Sequence, residues 1–576
     1  MVNFDKRFTD GSSKTSDSED FFDKVIEESD SKKSLISSVN VSSETSDSSI
    51  VSVDSDYTIK DVSSISEVKS SEESGLAYRL TALIKKIYRS DQGLNIFTVF
   101  DGVDSLRLIT FVKGGIAFGD LVEGGMATFV FKRRSYDGEL QGTILDAFIP
   151  SDSFASLRLK KRLLLSQYAK FVPSEVAPLL DSMSLDKLRP SMIELATLIR
   201  GAIFSSRPII LSHHADTDGF SGALQLELAI KDLLSKHHSD IRFLQNFFIR
   251  NPSKTPYYNL GDATKDISFF QLNSSRSNLS SPLIIILDNG STKQDLLAIK
   301  KVSIFGADVV VIDHHDPGSK DDRGNSLICN EVLSHVNPHL FGLGKNISAS
   351  VLAFEIAHLV NPDIDPNPHL AALGAVADYA DGVELDQLLR LSGDNKSFLR
   401  KLSYVVDFEI SQQRFFQANG SLIDLLLGKK QDELFNLYVP VLDEEQSFVE
   451  RSIKEFESVE LLGDFSLFYL ESDDIAFWND YFSPGKIAAI MHQLHSDVSR
   501  RVTLVVMDNI IVFRVSKSPD DSFDVNALVS LLLEKFPFAR ISGGGHDVAG
   551  SIRFVKASKD LILSAIKDYI LSQQSK

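Results

Sequence analysis

Three short stretches rich in acids and imidazoles each follow an apolar run: Ser212-His213-His214-Ala215-Asp216-Thr217-Asp218-Gly219, Asp288-Asn289-Gly290-Ser291 and Asp313-His314-His315. A fourth stretch, ALGAVADYADG, carries Asp378 and Asp381. Gathered in one crevice without a counter-charge, these carboxylates would repel one another and be costly to desolvate. Divalent cations remove that penalty. Oxygen and imidazole donors without thiolates suit Mn2+, with Mg2+ or Co2+ as alternatives, and several carboxylates suit a pair of ions sharing one bridging oxygen ligand. Such a pair arms a water molecule for in-line attack on phosphorus, so no nucleophilic Ser or Cys is required. The single cysteine, Cys329, excludes an internal disulfide and a multi-thiolate zinc site, and it reads as a small buried hydrophobe. One His-x-Asp-x-Asp alone would be an ordinary loop. Four acidic motifs in order behind apolar strands are a site.

The elements that must position these residues are visible as short apolar runs alternating with helical segments: PIILS then LQLELAIKDLLSK, LIIIL then KQDLLAIKKV, DVVVI then SASVLAFEIAHLV. Unalternating strands separated by helices predict a parallel sheet covered on both faces, with its ligand site at the carboxyl ends of the strands. The fold class is therefore α/β, with a parallel-sheet catalytic domain over residues 207–385. A helical connector is expected over 386–462 and a smaller α/β module over 463–576. Upstream, 151–206 reads as a helical linker broken at Pro173 and Pro190, whose Arg158, Lys160, Lys161 and Arg162 form a solvated face or, less expectedly, a guide for a strand.

Five β-rich runs over 76–150 predict a small barrel of OB type. Its Phe97, Phe100, Phe111 and Phe131 alternate with Lys113, Lys132, Arg133 and Arg134, which reads equally as barrel core or as a stacking platform for single strands. Residues 1–75, dominated by Ser, Asp and Glu, read as a disordered acidic tail that could carry phosphorylation sites or a motif for replication or repair proteins.

The 576 residues carry a formal charge of −19, of which residues 1–75 contribute −9, so the rest is acidic too. That balance argues against whole-molecule attraction to polyanions and leaves local patches and bound cations to grip phosphate. A hydrophobic share of 43% without any run of about 18 apolar residues predicts a soluble protein, and the absence of an apolar leader segment predicts a cytoplasmic one.

HHADTDG, LDNGS, VIDHHD and GAVADYADG resemble motifs one to four of the DHH phosphoesterases, and SGGGHDVAG resembles the glycine-rich signature of their accessory substrate-binding domain. The resemblance spans about residues 207–572, and the preceding barrel and helices are similar to the larger archaeal RecJ-like members. It implies that His214, Asp216 and Asp288 hold one metal and that Asp218, Asp288, His314 and Asp378 hold the other, with Asp288 bridging. It further implies that His315 faces the scissile phosphate or the leaving group and that Asp313 orients an imidazole from behind. Asp381 stays open as the alternative to Asp378, and His213 reads as a packing neighbour.

In the terminal module Gly543, Gly544, Gly545 and His546 would bind phosphate, with Arg514, or Lys517 in its place, as the arginine of the preceding strand. The family's serine two residues before that arginine is Val512 here. The implied activity is a RecJ-like, Mn2+-dependent exonuclease on single-stranded DNA or RNA. The alternatives are a phosphodiesterase for short oligonucleotides or cyclic dinucleotides, and a non-catalytic replication scaffold.

Overall fold

The computed structural model describes residues 58–573 except 72–75, 90–94, 111–119, 151–152, 239–245, 319–325, 413–419, 473–481, 518–522 and single positions 137, 174, 278, 345 and 547. Phe111, Lys113 and most of the expected tail lie outside the described residues.

The first sheet comprises β1 (Ile59–Asp61), β2 (Ala77–Arg89), β3 (Asn95–Phe100), β4 (Ser105–Ile109), β5 (Met126–Tyr136) and β6 (Glu139–Phe148). Its order β1-β2-β3-β4-β6-β5, closed by a β2–β5 pairing, makes a five-stranded barrel with β1 added at the rim. Strand β2 can serve both neighbours because a register shift between Ile84 and Lys86 bends it, so its first half pairs with β5 and its second with β3.

Phe97 and Phe131 are buried, against Phe129 and Tyr78 respectively, so these two rings fill the barrel and are unavailable for stacking on a strand. Arg133 donates to the Ser71 carbonyl, and Lys85 lies 3.4 Å over the partly exposed Phe100 ring. The expected tail boundary is corrected here as well. Residues 58–71 contribute β1 and helix α1 (Ile65–Ser70), capped by Ser64, and Val62, Ile65 and Val68 enter the barrel core. Their three-residue spacing supplies one apolar edge, enough to dock a short helix although serines surround it.

Helices α2 (Ser153–Gln167) and α3 (Met183–Phe204) follow. Pro190 sits inside α3 instead of ending it, because the helix is anchored at Ser182, whose side chain accepts from the Ser184 and Leu185 amides, and by eleven buried residues. The basic cluster on α2 is largely engaged inside the protein: Lys160 pairs with Asp308 at 2.5 Å, Lys161 with Glu194 at 2.7 Å and Arg162 with buried Asp101 at 3.6 Å. These pairs tie the helix to the barrel and to the next sheet, which is a structural role.

The central sheet contains β7 (Ile209–His214), β8 (Phe248–Ser253), β9 (Leu283–Leu287), β10 (Asp308–Ile312) and β11 (Ser334–Val336), all parallel, in the order β11-β10-β9-β7-β8. Alternate residues face opposite cores: Leu211, Ile285, Leu287, Val310 and Ile312 on one side, Ile210, Ile284, Ile286, Val309 and Val311 on the other. Both faces are dry, which is why the runs do not alternate in polarity. Helices α4 (Thr217–His237), α5 (Leu260–Ser277), α6 (Leu296–Ile304), α7 (Ala349–Val360) and α8 (Pro368–Ala377) accompany this sheet. The chain runs outward from β7 to β8 in one direction and from β9 to β11 in the other, so the order reverses between β7 and β9. A crevice opens at such a switch point.

Helices α9 (Val383–Ser392), α10 (Lys396–Gln412), α11 (Gly420–Leu426) and α12 (Gln431–Phe456) lead to the third sheet. It holds β12 (Ser458–Leu462), β13 (Phe465–Glu471), β14 (Arg501–Val506), β15 (Ile510–Ser516), β16 (Ser542–His546) and β17 (Ala549–Arg553) in the order β12-β13-β14-β15-β17-β16. Strand β12 brings five residues into this sheet that the sequence assigned to the connector. Helices α13 (Pro484–Leu494), α14 (Val525–Lys535) and α15 (Lys559–Ser572) complete the region. No helix among the described residues is long and apolar enough to cross a membrane.

Candidate metal centre and substrate cleft

His214 is the last residue of β7, Asp288 follows β9, and Asp313, His314 and His315 follow β10, so neighbouring strand tips deliver these side chains to the switch-point crevice. His214 Nδ1 lies 2.8 Å from Asp216 and 3.5 Å from Asp288. The other oxygen of Asp288 lies 3.3 Å from His314 Nε2, and His314 Nδ1 is 3.6 Å from Asp378, at the C-terminal end of α8. Two groups with metal-ligand spacing result, His214-Asp216-Asp288 and Asp288-Asp313-His314-His315, and Asp288 is common to both.

Asp216 caps α4 by accepting from the Gly219 amide at 2.9 Å. Asp288 adopts φ +57, a conformation acids tolerate better than most side chains, and its amide donates to Ile312 O at 2.9 Å. The loop beyond it is clamped by buried Asp295, which accepts from the Gly290 and Tyr258 amides on one oxygen and from Thr292 on the other.

Asp218 stands slightly apart. Its two oxygens accept from the Ala349 and Ser350 amides at 2.8 and 3.1 Å, at the N-terminus of α7. Burial, then the charges of Asp288 and Asp378, push it up to about 7. Asp381 points elsewhere, to an exposed pairing with Lys396. His213 is buried edge-on against Phe220 with ring centroids 4.6 Å apart.

His315 pairs with Asp313 at 2.7 Å, and Asp313 also accepts from the His314, His315 and Ser291 amides. Burial opposes charge on both partners, but their attraction outweighs it and holds the Asp313 carboxyl well below its usual range and the His315 imidazole above its own. Burial likewise opposes protonation of His214 and His314, yet the surrounding carboxylates pull both well above the ordinary imidazole value. Three buried atoms, His214 Nδ1, Asp288 Oδ2 and His314 Nδ1, make no hydrogen bond among the described residues. Buried polar atoms are seldom left so, and acids and imidazoles clustered within ion-pair distance of one another fit divalent cations, which would take the place of the imidazole protons.

On β15 of the third sheet, Arg514 donates to Phe513 O at 2.8 Å and to Gly485 O at 3.5 Å, and no carboxylate among the described residues lies within ion-pair distance of it. Burial lowers its pKa. Lys517 donates to Phe523 O. The glycines of β16 are explained first by packing: a Cβ on Gly543 would lie 2.2 Å from Ser551 O, and one on Gly545 2.2 Å from Ala549 O, so β17 can approach only glycine there. The side chain of His546 lies outside what is described.

Sequence reading missed the residues that join the two sides. Gln294 donates to Gly543 O at 3.1 Å. Lys486 of α13 pairs at 3.2 Å with Asp407 of α10, which accepts from the Thr217 hydroxyl at 2.6 Å. Asn337 donates to both Ser291 Oγ and His315 O. Only the Asn-Pro dipeptide at 337–338 gave a local signal, and it reads as a turn.

The family model described as "DHH family, N-terminal domain" matches residues 208–379. An uncharacterized protein of Methanocaldococcus jannaschii, MJ1198, is 31% identical over 515 residues, which cover 84% of this chain and 67% of that protein. The chain belongs to the DHH phosphoesterase family. Among solved structures, this DHH protein is similar to the DHH domain of a member of the s1p family of ribosomal proteins, with 32% identity and a TM-score of 0.67 over 74% of this chain and all of that one. RecJ from Thermus thermophilus, solved with Mn2+, is more distant at 16% identity and a TM-score of 0.45, covering 73% of the DHH protein described here and 60% of RecJ.

Proposed function

We propose that the protein hydrolyses phosphodiester bonds of single-stranded DNA or RNA from a chain end, as a RecJ-like exonuclease using two divalent cations, Mn2+ before Mg2+ or Co2+. The observation that carries this reading is the pair of acid-imidazole groups sharing Asp288, with unmet buried atoms on His214, Asp288 and His314. His214, Asp216 and Asp288 would hold one ion, and Asp218, Asp288, His314 and Asp378 the other. Bound there, the ions would supply an activated water and neutralise charge that builds on the phosphate.

The chain's own groups do the rest. Asp313 orients the His315 imidazole and favours its protonated form, from which it would donate to an oxygen of the phosphate or of the departing nucleoside. Arg514, a half-buried cation without a carboxylate partner among the described residues, would receive a phosphate in a bidentate fork that lysine cannot copy. The backbone of Gly543, Gly544 and Gly545, together with His546, would bind the same phosphate, and the barrel would hold nucleotides farther along the strand. On this reading the protein would act in the cytoplasm as a repair or replication factor.

A second reading, a phosphodiesterase for short oligonucleotides or cyclic dinucleotides, is favoured by the Gln294 to Gly543 hydrogen bond, which ties the segment after β9 to β16 and would shorten the path open to a strand. An end-labelled oligonucleotide ladder with Mn2+ separates the two. Stepwise shortening of long strands is expected. Cleavage confined to chains of a few nucleotides would replace the first reading with the second, and an inert wild type on every phosphodiester would point to a non-catalytic scaffold.

A further inference from the structure

Tyr379 follows Asp378 directly and occupies the first position past the end of α8 with φ +56. Helices that end in a left-handed residue ordinarily place glycine or asparagine there, because a bulky side chain is disfavoured in that conformation. The ring is held in place by α10. Arg400 lies 3.8 Å from its centroid and also donates to Ala377 O at 3.1 Å, while Tyr404, one turn along α10, lies beside Tyr379. Even so, Tyr379 remains 69% exposed. Tyr379 is near enough to Arg514 that its phenolate, formed only at high pH, would favour the guanidinium's charge. A strained backbone and a guanidinium against the ring are a costly way to hold an aromatic side chain open to solvent beside Asp378 of the acid cluster.

From this we infer that Tyr379, braced by Arg400, is a stacking platform for a nucleobase of the strand whose phosphates run between the acid cluster and Arg514. The proposal rests on the nucleic-acid reading above and adds the residue that recognises the base. A base has an aromatic face whatever its identity, so the platform favours a nucleotide over an abasic sugar phosphate without selecting a sequence. The open face of the ring receives the base, and the guanidinium on the ring makes a cation-π contact that fixes its tilt.

The test measures binding to full-length protein in Mg2+, using a dinucleotide with a non-hydrolysable methylenephosphonate link and 2-aminopurine as one base, beside its abasic counterpart. Wild type should bind the base-bearing compound at least about tenfold more tightly and quench its fluorescence. Tyr379→Asn, which suits the left-handed backbone, should fold, lose the quench and bring the affinity ratio close to one; Tyr379→Phe should keep both. The proposal is overturned if the Asn variant retains quench and preference, if Phe loses as much as Asn, or if wild type binds both compounds equally. Wild type that binds no nucleotide yet cleaves bis(p-nitrophenyl) phosphate would remove the nucleic-acid reading and this inference together. Binding and quench without any turnover would leave the inference standing and sink only the hydrolytic reading.

Discussion

The barrel and the tip of the central sheet are both packed from apolar strands, yet they treat polarity in opposite ways. In the barrel the large rings of Tyr78, Phe97, Phe129 and Phe131 are buried together, and buried Asp101 is satisfied by the Ile65, Val103 and Asp104 amides. At the sheet tip, acids and imidazoles are crowded until atoms of His214, Asp288 and His314 face their neighbours within ion-pair distance without a hydrogen bond among the described residues. A region shaped for stability meets its polar groups internally, whereas a region shaped for a ligand leaves them for the ligand to meet.

If that contrast holds, substitutions on the two sides should separate cleanly. The largest effect is expected for Asp288→Asn, shared by both groups: Mn2+-dependent hydrolysis should fall roughly a thousandfold or more, with far-ultraviolet circular dichroism unchanged. Hydrolysis within tenfold of wild type would break the comparison. Phe131→Ala should act in the opposite sense, destabilising the barrel by about 3–5 kcal/mol in denaturant unfolding while leaving turnover of a dinucleotide near wild type. Arg514→Lys should raise KM about tenfold for strands with a terminal phosphate and change KM little for strands without one.

The smallest effect concerns pH. Burial pushes Asp266, which accepts from Asn251 and Tyr258, up to about 6 from 3.8. An acid raised by folding binds more protons in the native than in the unfolded state between these values, so its contribution to stability declines as pH rises through that window. In metal-free protein, Asp266→Asn should therefore gain up to about 3 kcal/mol relative to wild type between pH 4 and pH 7 in urea titrations. A constant difference across that range would show that Asp266 ionises as it does in water.

Much of this contrast is written in the sequence. The apolar runs ending in HHADTD, LDNGS and DHH announce both the parallel sheet and the acids at its tips, and the β-rich runs after residue 76 announce the barrel. The helix at 65–70 escaped notice because three apolar residues among serines are too few for a periodicity to emerge. Strands β8 and β11 were hidden for a related reason: FIRNPS and SHV are short and polar, and they become strands by pairing with neighbours already in place. Pro190 misled because packing outweighs local propensity in a helix with so many buried residues. At the site, residue types carried the message but contacts did not. The Gln294 to Gly543 bond, the Lys486-Asp407-Thr217 chain and the Arg400-Tyr379 pair join segments that approach only after folding.

Manganese uptake by the purified full-length chain tests the central claim most directly. Isothermal titration of metal-free wild type should show two ions bound per chain, accompanied by a rise in thermal midpoint that Asp288→Asn does not reproduce. Folded wild-type protein that takes up no Mn2+, Mg2+ or Co2+ and melts at the same temperature with and without them would contradict it.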